Sequence, residues 1–123
     1  MIDKDCFKEL KLLVKTFIQQ RDWIQYHTPK NLAMSIAIEA AELMELFQWY
    51  TIEESVSMVA SNSELRIKLE DEIADILIYC LSLSEQANIN LEEIIKRKLD
   101  RNEKRFPVEV VSGKLGPYPS SEK

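Results

Sequence analysis

The sequence predicts an all-α protein, a bundle of four to five helices per chain. Three observations predict it. Only two Gly and four Pro occur in 123 residues, so little interrupts regular structure. Apolar side chains recur at three- and four-residue spacing along most of the chain. Thr51-x-x-Glu54 and Asn90-x-x-Glu93 are capping-box patterns that mark helix starts.

The elements follow in order. A first helix is expected over residues 3–24, with Phe7, Leu10, Leu13, Val14, Phe17 and Ile18 as its core-facing stripe. Residues 25–30 read as a loop broken at Pro29, with Asn31 as a candidate N-cap for a second helix over 31–50. Thr51 opens a short third helix over 52–60, and Ser61, Asn62 and Ser63 form a polar hinge. The long fourth helix, 64–87, carries Leu65, Leu69, Ile73, Ile76, Cys80 and Leu83 as a core stripe. Asn90 opens the fifth, 91–105, which Pro107 ends. The chain thus divides into one domain, 1–107, and an extended tail, 108–123, rich in Gly and Pro.

Composition narrows the function. A net charge of −5 excludes a general nucleic-acid binder, which needs a dominant basic face. Cys6 and Cys80 are far apart and His27 is the only histidine, so no structural zinc site is expected. The N-terminus lacks a signal-peptide pattern, and the apolar run from Ile76 to Leu83 is too short to span a bilayer. A cytoplasmic protein with no membrane partner is the expectation.

The second helix is apolar almost all round, yet it carries Glu39 and Glu42 on one face. The fourth repeats the spacing with Glu72 and Asp75, and Tyr79 lies one turn further along that face. A carboxylate held away from water needs a compensating partner, and no Lys or Arg occurs between Lys30 and Arg66. Either basic side chains come from elsewhere or a cation does; a cation is the favoured reading. Oxygen ligands suit hard divalent ions such as Mg²⁺, which bind substrate phosphates. The fifth helix adds Lys96, Arg97, Lys98, Arg101, Lys104 and Arg105, a basic run that a polyphosphate would require and that a solvated helix end would also show. A di-iron carboxylate bundle needs Glu-x-x-His pairs, and His27 follows Ile24 at that spacing.

Together these residues resemble the all-α nucleoside triphosphate pyrophosphohydrolases of the MazG-like superfamily. The signature is Glu39-Ala-Ala-Glu42 followed by Glu72-Ile-Ala-Asp75. RDW at 21–23, His27, Pro29, NL at 31–32, ELFQW at 45–49, DEIADILIY at 71–79 and KLDRNEKRFP at 98–107 resemble the dCTP pyrophosphatase branch. The resemblance implies Mg²⁺-dependent hydrolysis of dCTP or a modified cytosine nucleotide to the monophosphate and pyrophosphate, a nucleotide-pool housecleaning activity. It implies Glu39, Glu42, Glu72 and Asp75 as metal ligands and catalytic acids. Lys98, Asn102, Tyr79 and Arg105 would contact phosphates or sugar, Trp23 and Trp49 would pack around the base, and His27 would lie near it. Lys114 and Tyr118 in the tail are further candidates to close over substrate. Animal members of the branch carry a histidine on the first helix near the base, and that position is Val14 here. The resemblance also implies a bundle completed by a homodimer or homotetramer, which agrees with a second helix too apolar for one chain to cover. The alternatives are a broad-specificity or non-cytosine pyrophosphohydrolase, and a non-catalytic helical nucleotide-binding or interaction module.

Overall fold

The computed structural model describes residues 5–114. Six α-helices and one 3₁₀ turn account for the regular structure, with no strand among the described residues. The helices are α1 (Cys6–Gln20), α2 (Pro29–Glu45), α3 (Ile52–Ser61), α4 (Ser63–Gln86), α5 (Leu91–Arg105) and α6 (Val108–Val111); the 3₁₀ turn spans Ile24–Tyr26. The chain divides into two compact units, Met1–Asn88 and Ile89–Lys123.

In the first unit every long helix starts on a side-chain cap, which satisfies N–H groups that the helix itself leaves unpaired. Asp5 accepts from the Lys8 N–H at 3.1 Å, and Asn62 accepts from the Leu65 N–H at 3.0 Å. Thr51 and Glu54 form the full reciprocal capping box. The cap of α2 is Thr28, with Pro29 in the first turn, so Asn31 is not the cap; Pro29 fits there because its missing N–H would be unpaired anyway. Asn31 instead donates its side-chain amide to the Tyr26 carbonyl at 3.0 Å. Helix α1 stops at Gln20, four residues earlier than the periodicity predicts. Asp22, with φ at 54°, reverses the chain there, and the Trp23 N–H donates back to the Ile18 carbonyl at 3.1 Å.

Helix α4 is the centre of this unit, packed against α1, α2 and α3. Four apolar side chains are buried among the described residues, Ile18, Leu32, Leu65 and Leu81, and Leu32 is the one fully enclosed. The expected core stripes are therefore only partly core. Leu10, Leu13 and Phe17 of α1 and Ile73 of α4 are exposed, because the unit has helices on too few sides to cover them. Helix α2 likewise buries only Leu32 and leaves Met34, Ile38 and Met44 exposed. Cys80 is half-buried, and burial pushes its thiol above the ordinary range, so it packs as an apolar side chain.

In the second unit, α5 is capped by Asn90, which accepts from the Glu93 N–H at 3.0 Å. Its surface carries i,i+4 pairs, Glu92 with Lys96 at 2.7 Å and Asp100 with Lys104 at 3.4 Å. The expected extended tail does not begin at Val108: Val108–Val111 make one further helical turn, with Pro107 preceding it. The rest of that tail, residues 115–123 with Tyr118, lies outside the described residues.

Leu32 is 1% exposed. Leu32→Ala is therefore expected to cost about 2–5 kcal/mol, read as a lowered midpoint in urea unfolding followed by helical circular dichroism.

Candidate active site

Helix α2 presents Glu39 toward α4, and α4 answers with Glu72 and Asp75 one turn apart. Carboxylate oxygens of these three residues all lie within 4.8 Å of one another. Glu39 and Glu72 are half-buried, and one oxygen of each (Oε2) is enclosed with no hydrogen-bond partner. The ion pairs Lys15–Glu85, Arg66–Glu70 and Lys68–Glu64 of this unit lie away from the cluster. None of these basic side chains compensates the acids.

The electrostatic consequence falls on Glu39. Its pKa is raised from 4.5 to about 7, first by the side-chain hydrogen bond with Glu72, then by burial, then by Glu42 and the charge of Asp75. Glu42 thus acts on Glu39 from the next turn of α2, although it lies outside the group of three whose oxygens converge. Enclosed Oε2 atoms without a partner, on carboxyls crowded against one another, fit a hard divalent cation.

Asp75 also borders an open groove of about 420 Å³ between α1, the 3₁₀ turn and α4. Leu13, Val14, Phe17 and Ile78 give it an aliphatic and aromatic floor, while Trp23, His27 and Tyr79 also line it. The Tyr79 and His27 rings are stacked, with centroids 6.3 Å apart and planes at 29°. Trp23 meets Phe17 edge-on at 6.1 Å, and the Arg21 guanidinium sits 3.7 Å from the other ring's centroid. The Nδ1 atom of His27 is enclosed and unpartnered.

Of the residues expected from sequence, Trp23, His27, Tyr79 and Asp75 come together at this groove. Trp49 does not join them. It follows α2 in a turn and is 87% exposed. Lys98, Asn102 and Arg105 lie on α5 in the second unit, at spacings that share one helix face. Arg105 Nε is enclosed without a partner, and its guanidinium lies 5.0 Å from the Phe106 ring centroid. Leu13, Phe17, Ile18, Ile78 and Ser82 are groove residues that sequence reasoning missed, three of them assigned to the core. The periodicity that marks a core stripe marks a groove wall equally well.

A family model described as MazG-like family matches residues 34–113. The chain belongs to the MazG-like family. It is 36% identical over 111 residues to dCTP pyrophosphatase 1 of Bos taurus, and 33% identical over 111 residues to dCTP pyrophosphatase 1 of Homo sapiens. Each match covers 90% of this chain and 65% of the relative, so the chain spans about two-thirds of the length of those curated relatives. Among solved structures, a pyrophosphatase from Archaeoglobus fulgidus DSM 4304 is similar with a TM-score of 0.78 and 42% identity, covering 87% of this chain and 97% of that one.

Glu39 gives a pH dependence with a definite sign. A carboxyl whose folded pKa is raised favours the native state while protonated, and that contribution is lost as pH rises through the window from 4.5 to about 7. Thermal melts of the metal-free protein are expected to fall across that window. Glu39→Gln should remove this part of the slope, and an unchanged slope would show that Glu39 is not the responsible group.

Proposed function

We propose that the chain is a Mg²⁺-dependent nucleoside triphosphate pyrophosphohydrolase acting on dCTP or a modified cytosine nucleotide. The observation that carries the reading is the shared edge at Asp75: an uncompensated acid cluster on one side, an aromatic-walled groove on the other. The names borne by the Bos taurus and Homo sapiens relatives support the reaction and the base. Residues 1–107 would form the catalytic domain, working in the cytoplasm in nucleotide-pool housecleaning. No helix among the described residues is long and apolar enough to cross a membrane.

Glu39, Glu42, Glu72 and Asp75 are assigned as the acids that hold Mg²⁺. When bound, the ion supplies charge neutralisation and Lewis acidity toward the triphosphate. Trp23, His27 and Tyr79 seat the base and sugar; Trp49, which does not line this groove, is assigned to the base on the family resemblance alone. Lys98, Asn102 and Arg105 of α5 are assigned to the phosphates, where cations stabilise the charge that builds on the leaving group. Water forms a bond to phosphorus as the bond linking the α and β phosphates breaks, giving the monophosphate and pyrophosphate. One of the four acids orients that water or accepts its proton.

The assembly is proposed as a homodimer or homotetramer. Ile38, Met44, Trp49, Ile52 and Val56 are large apolar side chains left exposed in the first unit, and contact with a second copy would remove such surface from water. Sedimentation equilibrium is expected to give a mass of two or four chains; a monomer at micromolar concentration would refute the assembly.

Val14 favours a second reading of the base. It puts an aliphatic side chain in the groove where animal members of the branch carry a histidine, so a non-cytosine or broad preference is the alternative. A panel of NTPs and dNTPs with Mg²⁺, scored by products, decides between them. Monophosphate and pyrophosphate, strongest with dCTP, is the expected result. The same products with another base would retain the chemistry and displace cytosine. Nucleotide binding without turnover would favour a non-catalytic module. Glu72→Gln is expected to lower turnover at least about 100-fold while leaving the helical signal intact.

A further inference from the structure

Both Trp23 and His27 of the groove come from one short segment, residues 21–28, which has little regular structure of its own. Within the segment, Gln25 Nε2 donates to the Asp22 carbonyl at 3.0 Å, and the Tyr26 and His27 N–H groups close the 3₁₀ turn onto Trp23 and Ile24. Two further bonds leave it for the helices that carry the acids. Asn31, in the first turn of α2, donates its side-chain amide to the Tyr26 carbonyl at 3.0 Å. Gln86, the last residue of α4, donates its side-chain amide to the His27 carbonyl. Consecutive carbonyls of the segment are thus gripped from α2 and from α4.

Neither amide has another duty that explains it. Thr28 already caps α2, and α4 closes through backbone bonds from Ala87 to Leu83 and from Asn88 to Glu85. Neither residue lines the groove. Both amides are spent on the placement of a segment whose side chains do line it.

We propose that Asn31 and Gln86 are positioning residues for nucleotide recognition, holding Trp23 and His27 at a fixed offset from Glu39, Glu72 and Asp75. The inference rests on the pyrophosphohydrolase reading above and adds a specific chemical requirement: a side-chain donor facing each carbonyl. A loop carbonyl without that donor bonds to water, and the segment then samples positions in which the groove wall is displaced. Substrate binding weakens, while the acids, fixed on α2 and α4, keep their geometry.

The test uses the full chain, Mg²⁺ and the nucleotide that the wild-type protein turns over fastest. Gln86→Ala and Asn31→Ala are expected to raise KM roughly three- to tenfold, the scale of one lost hydrogen bond, with kcat within about twofold. Gln86→Glu, similar in shape but without a donor, should resemble Gln86→Ala. Gln86→Lys, which restores a donor, should recover most of the loss. In the nucleotide-free variants, hydrogen exchange of the Tyr26 and His27 amides should accelerate while the melting temperature stays near wild type. Wild-type KM in the alanine variants overturns the inference. So does a Gln86→Lys variant no better than Gln86→Ala, or a loss that tracks falling thermal stability. If the wild-type chain turns over no nucleotide, the functional reading falls and this inference falls with it; if wild type is active and the variants match it, only this inference falls.

Discussion

The structure depends on a repulsion. Glu39, Glu72 and Asp75 are brought together by the packing of α2 against α4, and none of the ion pairs described in the first unit involves them. Apolar contacts hold the helices at a distance that the acids alone would enlarge. The protein absorbs part of this conflict by leaving a proton on Glu39 up to about neutral pH. A divalent cation resolves it more completely, since it satisfies several enclosed oxygens at once. Residues that oppose folding locally are expected where a site has been built, and here two of them sit on α4, around which the rest of the unit packs, and the third on α2 against it.

The helices were legible in the sequence because their signals are local. Thr51 with Glu54, and Asn90 with Glu93, place two helix starts correctly, and Leu91–Arg105 has the predicted bounds. The errors lie where two local signals compete. Asn31 and Thr28 are both good caps, and Pro29 decides for Thr28 by demanding the first turn. The apolar pattern of α1 runs on past Gln20, but Asp22 in the left-handed region turns the chain first. Val108–Val111 was hidden by the Gly and Pro residues that follow it.

The site was legible in part. The two acidic pairs declare themselves by their apolar surroundings, and Glu39 with Glu72 and Asp75 does converge. What sequence could not supply is which apolar residues are covered. Leu13, Phe17 and Ile18 share one apolar stripe and all three line the groove, yet Ile18 is buried while the other two are exposed. Periodicity reports that a face is apolar. Whether that face meets a neighbouring helix or a cavity depends on residues far away in the chain.

Helix α4 gives both Asp75 to the acid cluster and Ile78, Tyr79 and Ser82 to the groove, whereas α1 gives only groove residues: Leu13, Val14, Phe17 and Ile18. The two walls therefore differ in how freely they can drift. A change on α4 risks the spacing of the acids, but a change on α1 reshapes the ligand's surroundings without moving a carboxylate. Diversification of ligand preference among descendants of this scaffold should accumulate on α1, leaving α4 as the slowly changing record of their shared chemistry.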